Sequence, residues 1–360
     1  MPISSRPYWV LNGPDRSKVK GNTYIQDDIP DLENGDTWFD PITGKVYYFY
    51  NGRMLNFPSY SRGYAIGGYN GVPVSTIERI EFPFDGGFVE LIGNLNASVY
   101  GSSQCNSSLF GYAMGGVNNA AYTSAISKYL FPFDAGTSTA AGNLSEAKRN
   151  GSSGFNSSLF GFVAGGENGA TLYSTVDRIT FPFDSGNSSH TADMSNEKEQ
   201  LSAINATNHG FVIGGVMAGT IYLSSIERKL FPFDSGSMSQ VGQLTGSRIA
   251  TGQSNSSQYG YVTGGATTGY YSFISKLQFP FDSGTTSDVG NLTTTRGYAA
   301  NCNSRDEAYT MGGAVSLYLS SVERYDYPFN SGSANHVANL NASKYNSGGN
   351  DQTDFVVQFV

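Results

Sequence analysis

The chain has 360 residues, of which 14% are charged, and a net charge of −8; a typical soluble chain carries about 25% charged residues. An acidic, charge-poor chain is unsuited to neutralising phosphates, so nucleic acid is excluded as an expected partner. Gly (45), Phe (23) and Tyr (24) are abundant, which favours pleated strands joined by tight turns, and two cysteines are too few for a disulfide scaffold.

The opening segment MPISSRPYWVLNGPDRS lacks the run of about 7–15 apolar residues that marks a signal peptide. Nowhere does an apolar stretch approach the roughly 20 residues of a membrane span. Synthesis in the cytoplasm without membrane insertion is therefore expected. Prolines at 2, 7, 14, 30 and 41 and a dense set of charges predict an extended arm over residues 1–36. Tyr8, Trp9 and Trp38 are its candidate contacts to a partner protein. DDIPDLENGD (27–36) matches no calcium-loop spacing and reads as a solvated acidic linker. TWFD-PITG-KVYYFY then reads as a β-hairpin.

From residue 55 onward the chain repeats itself. A Phe-Pro-Phe-Asp phrase starts at 82, 131, 181, 231, 279 and 327, and a glycine pair after an apolar strand starts at 67, 115, 165, 214, 264 and 312. Both markers keep a period near 50, the length of one propeller blade. The unit at 100–144 divides into four strands: A (YGSSQC, small residues), B (LFGYAMGG), C (SAISKYLFPF) and D (TSTAAGNL). Small residues suit the innermost strand, where blades crowd the axis. The expected fold is thus all-β, a propeller of four-stranded blades.

Strand A ends in a residue followed by Asn in five units, at Asn106, Asn156, Asn205, Asn255 and Asn303. Setting Asn350 in that series makes FVVQFV at the C-terminus a further strand B. A closed propeller leaves no half-blade open, because an unpaired edge invites aggregation. The expectation is therefore seven blades, six recognisable repeats plus one composite, with the hairpin at 37–53 completing the last blade alongside 341–360. Six blades, with the hairpin docked elsewhere, is the alternative. In domain terms this gives an arm at 1–36 and a propeller at 37–360.

In FPFDSG the two Phe share one face and can be buried against a neighbouring blade, Pro stands near the strand end, and Asp-Ser-Gly closes a turn. One copy has Asn330 in place of Asp, which favours turn chemistry over a cation-binding ring. His190 and His336 lie in strand D and His209 opens strand B, and three histidines so placed predict no metal ring. Cys105 and Cys302 share one repeat position with Phe155 and Ile204 and read as core residues. No catalytic triad, P-loop or dinucleotide fingerprint occurs, so neither a catalytic residue nor a cofactor is expected.

The A–B and C–D turns fall on one face of the disc and are written almost identically in each unit. The B–C and D–A loops fall on the other face and vary. They carry Tyr122, Tyr173, Tyr222, Tyr271 and Tyr318, and Arg149, Lys198, Arg248, Arg296 and Lys344. Variable loops on a rigid frame are where recognition concentrates, and Tyr with Arg suits binding. The alternative is that the tyrosines pack the loops and the basic residues pair with Glu78, Asp177, Glu227 or Glu323.

The glycine pair ending strand B, the Arg or Lys before strand A and the period near 50 resemble the kelch family of β-propellers over residues 55–360, with Phe-Pro-Phe standing where kelch repeats carry a Tyr and a Trp. FPFDSG followed by a GNL-like piece and an NSS turn resembles repeats in virion structural proteins of marine tailed bacteriophages. GDTWFDPITGKVYYFYNGR (35–53) is similar to a short module of tail-fibre and other virion proteins of such phages. The resemblance implies a non-enzymatic virion structural protein, tail or fibre associated and present in multiple copies in a symmetric assembly. Its arm would attach to other virion proteins and its variable face would bind a host surface glycan or receptor. A purely architectural decoration protein, or a glycan-modifying propeller enzyme, are the alternatives.

Overall fold

The computed structural model describes residues 62–119, 121–150 and 154–352, the strands Thr23–Ile25, Thr37–Asp40, Lys45–Tyr50 and Arg53–Asn56, and positions 30, 31, 33 and 36. Two units are present, residues 61–353 and residues 1–60 with 354–360. The larger is a β-propeller of six four-stranded blades.

Blade 2 shows the pattern: A is Ser103–Asn106, B Phe110–Met114, C Ala125–Leu130 and D Thr139–Asn143, each antiparallel to the next. Blades 3 to 6 repeat it in order along the chain. Blade 1 is composite. Its B, C and D are Arg62–Ile66, Thr76–Glu81 and Glu90–Asn94, and its innermost strand is Gly348–Gln352 from the far end of the chain.

This closure corrects the expected seven blades. In strand A of blade 2, Asn106 stands opposite Gly111; in blade 1 the residue opposite Gly63 is Asp351, and Asn350 faces Tyr64. The member of the asparagine series in blade 1 is therefore Asp351, one residue beyond Asn350. Once Gly348–Gln352 pairs with Arg62–Ile66, blade 1 is complete and no half-blade is left open. FVVQFV (355–360) lies outside the described residues. The hairpin Thr37–Asp40/Lys45–Tyr50 does form, but it joins Thr23–Ile25 and Arg53–Asn56 in a four-stranded sheet of its own, so it closes no blade.

The repeated phrases are joints between blades. The first aromatic ring of each Phe-Pro-Phe stacks on the strand-B ring of the preceding blade: Phe82 on Tyr309, Phe131 on Tyr64, Phe181 on Tyr112, Phe231 on Phe162, Phe279 on Phe211 and Tyr327 on Tyr261. Centroids lie 5.0–5.6 Å apart, and such pairs add about 0.5–1.5 kcal/mol beyond area burial. Where the strand-B ring is Tyr, its hydroxyl also accepts the backbone N–H of the second Phe, as at Tyr309 with Phe84 and Tyr112 with Phe183.

The Asp of the phrase is more than a turn residue. A basic residue from strand C of the preceding blade reaches it at each joint. Arg79 meets Asp134, Lys128 Asp184, Arg178 Asp234, Arg228 Asp282 and Arg324 Asp85, while Lys276 donates to Asn330 at 2.5 Å. The ring of latches closes through Asn330 without a sixth carboxylate.

Candidate functional site

On the variable face the six D–A loops meet at the axis. Gly101, Asn150, Gln200, Ala250, Tyr298 and Asn346 occupy one equivalent position there, all with positive φ of 52–66°. Each N–H donates to the carbonyl of the preceding member: Asn150 to Gly101 (2.9 Å), Gln200 to Asn150 (2.7 Å), Ala250 to Gln200 (3.0 Å), Tyr298 to Ala250 (2.8 Å), Asn346 to Tyr298 (2.8 Å) and Gly101 to Asn346 (3.0 Å). The result is a closed backbone collar around the axis. Two side-chain bridges cross its small members. Tyr298 donates its hydroxyl hydrogen to Gln200 Oε1 (2.7 Å) over Ala250, and Asn346 Nδ2 donates to Asn150 Oδ1 (3.1 Å) over Gly101.

The residue before each collar position bridges the residue just after a glycine pair, giving Tyr100–Val117, Arg149–Glu167, Glu199–Val216, Ile249–Ala266, Gly297–Ala314 and Tyr345–Tyr69. These pairs differ from blade to blade and divide the face into three sectors. Tyr69, Tyr100, Tyr298, Tyr318 and Tyr345 form an aromatic sector with centroids 4.9–6.1 Å apart. Arg149, Glu167, Glu199 and Asn150 form a charged one. Arg149 Nε meets Glu167 Oε1 at 2.6 Å, and its guanidinium lies over the rings of Tyr100 and Tyr122. Burial, and then the neighbouring Glu167, push the Glu199 carboxyl above the usual range, while Asn150 Nδ2 opposes this with a hydrogen bond at 3.2 Å. The third sector is apolar, with Val216, Ile249, Ala250 and Ala266 packed by Tyr222, Tyr270 and Tyr298. The rim exposes Val72 and Leu317, the latter at 74%.

The expected site residues separate accordingly. Tyr318, 39% exposed, joins the aromatic sector; Tyr122 flanks it across Arg149, and Tyr222 lies in the apolar sector. Tyr173 sits over the Lys148 ammonium and Tyr271 stacks on Phe273, each packing its own repeat. Of the basic residues, Arg149 belongs to the face. Lys198, Arg248, Arg296 and Lys344 do not: they are buried, Lys198 to 0% exposure.

These four hold the D–A crossover to strand C of the blade it enters. Lys198 pairs with Glu227 (2.5 Å), Lys344 with Glu78 (2.5 Å) and Arg296 with Glu323. Arg248 donates to Ser275, which in turn bonds Asp288. Lys148, one residue before Arg149, is the true fifth member and pairs with Asp177 at 2.6 Å. Burial pulls the Lys344, Arg248 and Arg296 pKa values down, opposed by Glu78, Asp288 and Glu323 respectively. Each buried acid follows a β-bulge in strand C, for example between Ile226 and Glu227, which turns it inward beside its apolar neighbour. The remaining blade has Val99 at the basic position and Ser127 at the acidic one, so both charges are absent together.

Tyr69, Tyr100, Tyr298, Tyr345, Glu167 and Glu199 were missed in the sequence reading. The signal was present in the residue directly after each glycine pair (Tyr, Val, Glu, Val, Ala, Ala), which varies where everything around it repeats. The glycines themselves are fixed by packing: a Cβ on Gly214, where φ is +67°, would stand 2.5 Å from the Arg248 carbonyl.

For the arm, Trp38 lies on the strand Thr37–Asp40 and is 5% exposed, so its indole is not presented at the surface. Tyr8 and Trp9 lie outside the described residues.

No protein-family model and no curated protein matches the chain. Among solved structures, one described as YjhT superposes with a TM-score of 0.61 at 9% identity, covering 76% of this chain and 96% of that one. At that identity the likeness shows the propeller fold alone.

Proposed function

We propose that this chain is a non-enzymatic binding protein of a bacteriophage particle, whose propeller engages a host surface glycan through the centre of its variable face. The observation that carries this reading is the aromatic sector around the collar, with Arg149, Asn150 and Glu199 beside it. Tyrosine rings offer flat apolar planes for the C–H face of a sugar, and the flanking polar groups suit its hydroxyls. These side chains occupy the positions at which otherwise copied blades differ. The particle location and a kelch kinship rest on the repeat and module resemblances, and the N-terminal unit is the proposed attachment to other virion proteins. Purified full-length protein should bind host cells and retain specific members of a glycan array. The double variant Tyr318→Ala/Tyr345→Ala should lower that binding at least tenfold with folding unchanged. Equal binding by the variant, or absence of the protein from purified particles by mass spectrometry, would overturn the proposal. Presence in particles with adsorption unaffected would instead support an architectural role.

A second reading, a glycan-modifying enzyme, has one observation in its favour: Glu199 is half-buried beside Glu167 with a raised pKa, as a general acid requires. Under that reading Glu199→Gln would keep glycan binding and abolish turnover of the bound sugar.

A further inference from the structure

Beneath the collar lies an axial cavity of about 60 Å³, lined by Ser102, Gln104, Thr251, Gln253, Asn301 and Gly349 among others. Gln104, Gly349 and Asn301 are equivalent positions of strand A, opposite Ala113, Ala65 and Thr310. The side chains of Gln104 and Asn301 point to the axis because the alternate residues, Cys105 and Cys302, enter the cores between blades. Gln104 and Asn301 are 3% and 5% exposed. Their amide nitrogens are used, Gln104 Nε2 on Ser102 Oγ (2.9 Å) and Asn301 Nδ2 on Thr310 Oγ1 (2.9 Å). Their oxygens, Gln104 Oε1 and Asn301 Oδ1, have no hydrogen-bond donor among the described residues.

Three nearby hydroxyls are committed elsewhere. Ser202 and Thr251 bond each other, and Ser347 donates to the Gly67 carbonyl. Two buried acceptors therefore line one cavity without a donor among the described residues, an arrangement that costs free energy unless a ligand supplies positive charge or hydrogen. Among the described residues no carboxylate lines the cavity, which disfavours a divalent ion, since these gather charged oxygens. Asp351 stands two residues further along the strand, about 7 Å away. It holds the axis-facing position that is Asn in the other five blades. Among the described residues it forms no ion pair, and burial pushes its carboxyl up to about 7. The axis thus carries one carboxyl group without a basic partner among the described residues.

We propose that the axial cavity binds a partly hydrated monovalent metal cation, coordinated by Gln104 Oε1 and Asn301 Oδ1 and neutralised at longer range by Asp351. The bridges Tyr298–Gln200 and Asn346–Asn150 roof the ion, which would then support the collar from below. The test uses the full-length protein at constant ionic strength, in chloride salts of potassium, sodium or choline. The unfolding midpoint should lie about 2–4 °C higher in the preferred alkali salt than in choline and rise with its concentration. The shape-preserving variants Gln104→Met and Asn301→Leu should each lose that difference. Crystals soaked in thallium(I) should show an anomalous peak between the two oxygens. Equal midpoints in all three salts with no thallium peak would mean that the cavity holds water only, and would overturn the proposal. If one variant fails to fold, the other variant and the diffraction experiment still decide.

Discussion

Single residues set the joints of this ring. Lys198 and Glu227 are both sealed from solvent, and Glu227 also accepts from the backbone and hydroxyl of Ser195. Removing one partner leaves the other charge buried and uncompensated, which typically costs about 3–5 kcal/mol. Lys198→Met should therefore lower the denaturant midpoint sharply. The chain carries its own control: where Val99 and Ser127 stand at these positions, Ser127 Oγ donates instead to Asn96 Oδ1 at 2.5 Å. The double variant Lys198→Val/Glu227→Ser should accordingly recover much of the loss. Equal instability of single and double variants in urea unfolding would refute the account. Four residues that the sequence offers as ligand contacts are thus structural, and the tetrapeptide Ile-Glu-Arg-Lys (226–229) serves two joints at once: Glu227 pins the crossover and Arg228 reaches Asp282.

At the scale of elements, each FPFD segment contributes a stacked ring and an exposed ion pair of very different worth. Phe231 stacks on Phe162 at 5.4 Å, whereas Asp234 is 76% exposed where it meets Arg178. Phe231→Ala should cost about 3–5 kcal/mol, and Asp234→Asn at most about 1 kcal/mol; equilibrium unfolding of the two variants checks the ranking. The Lys276–Asn330 joint already shows that the carboxylate is dispensable in one copy. The two aromatic positions and the turn were readable from the phrase. That the Asp also latches a basic residue some 50 positions earlier was not, because strand C of one blade and the turn of the next meet only when the blades are ranged around an axis.

For the whole molecule, closure depends on Gly348–Gln352. Truncation after Ser347 would leave Arg62–Ile66 as an open edge with its N–H and C=O groups unpaired. Such a chain should elute as aggregates in size-exclusion chromatography and lose its cooperative thermal transition. A monomeric, cooperatively melting product would show that the ring tolerates an open blade. The strand must also be thin: a Cβ on Gly349 would stand 1.9 Å from the Asn301 carbonyl oxygen.

The sequence by itself determined the architecture. A period near 50 in two independent markers, small residues at strand A and aromatic residues at strand B are local facts, and each blade is built almost wholly from one contiguous unit. It also showed which face varies, since loop length and content are visible in the letters. Only the tertiary structure decided the blade number, because closure pairs Tyr64 with Asn350 across 285 intervening positions and its register turns on a single residue. The tertiary structure likewise decided which basic residues are buried and which tyrosines converge. Those outcomes depend on six loops meeting at one axis, where the residue beside each repeated Lys or Arg faces the centre and the Lys or Arg itself turns inward to its partner on strand C.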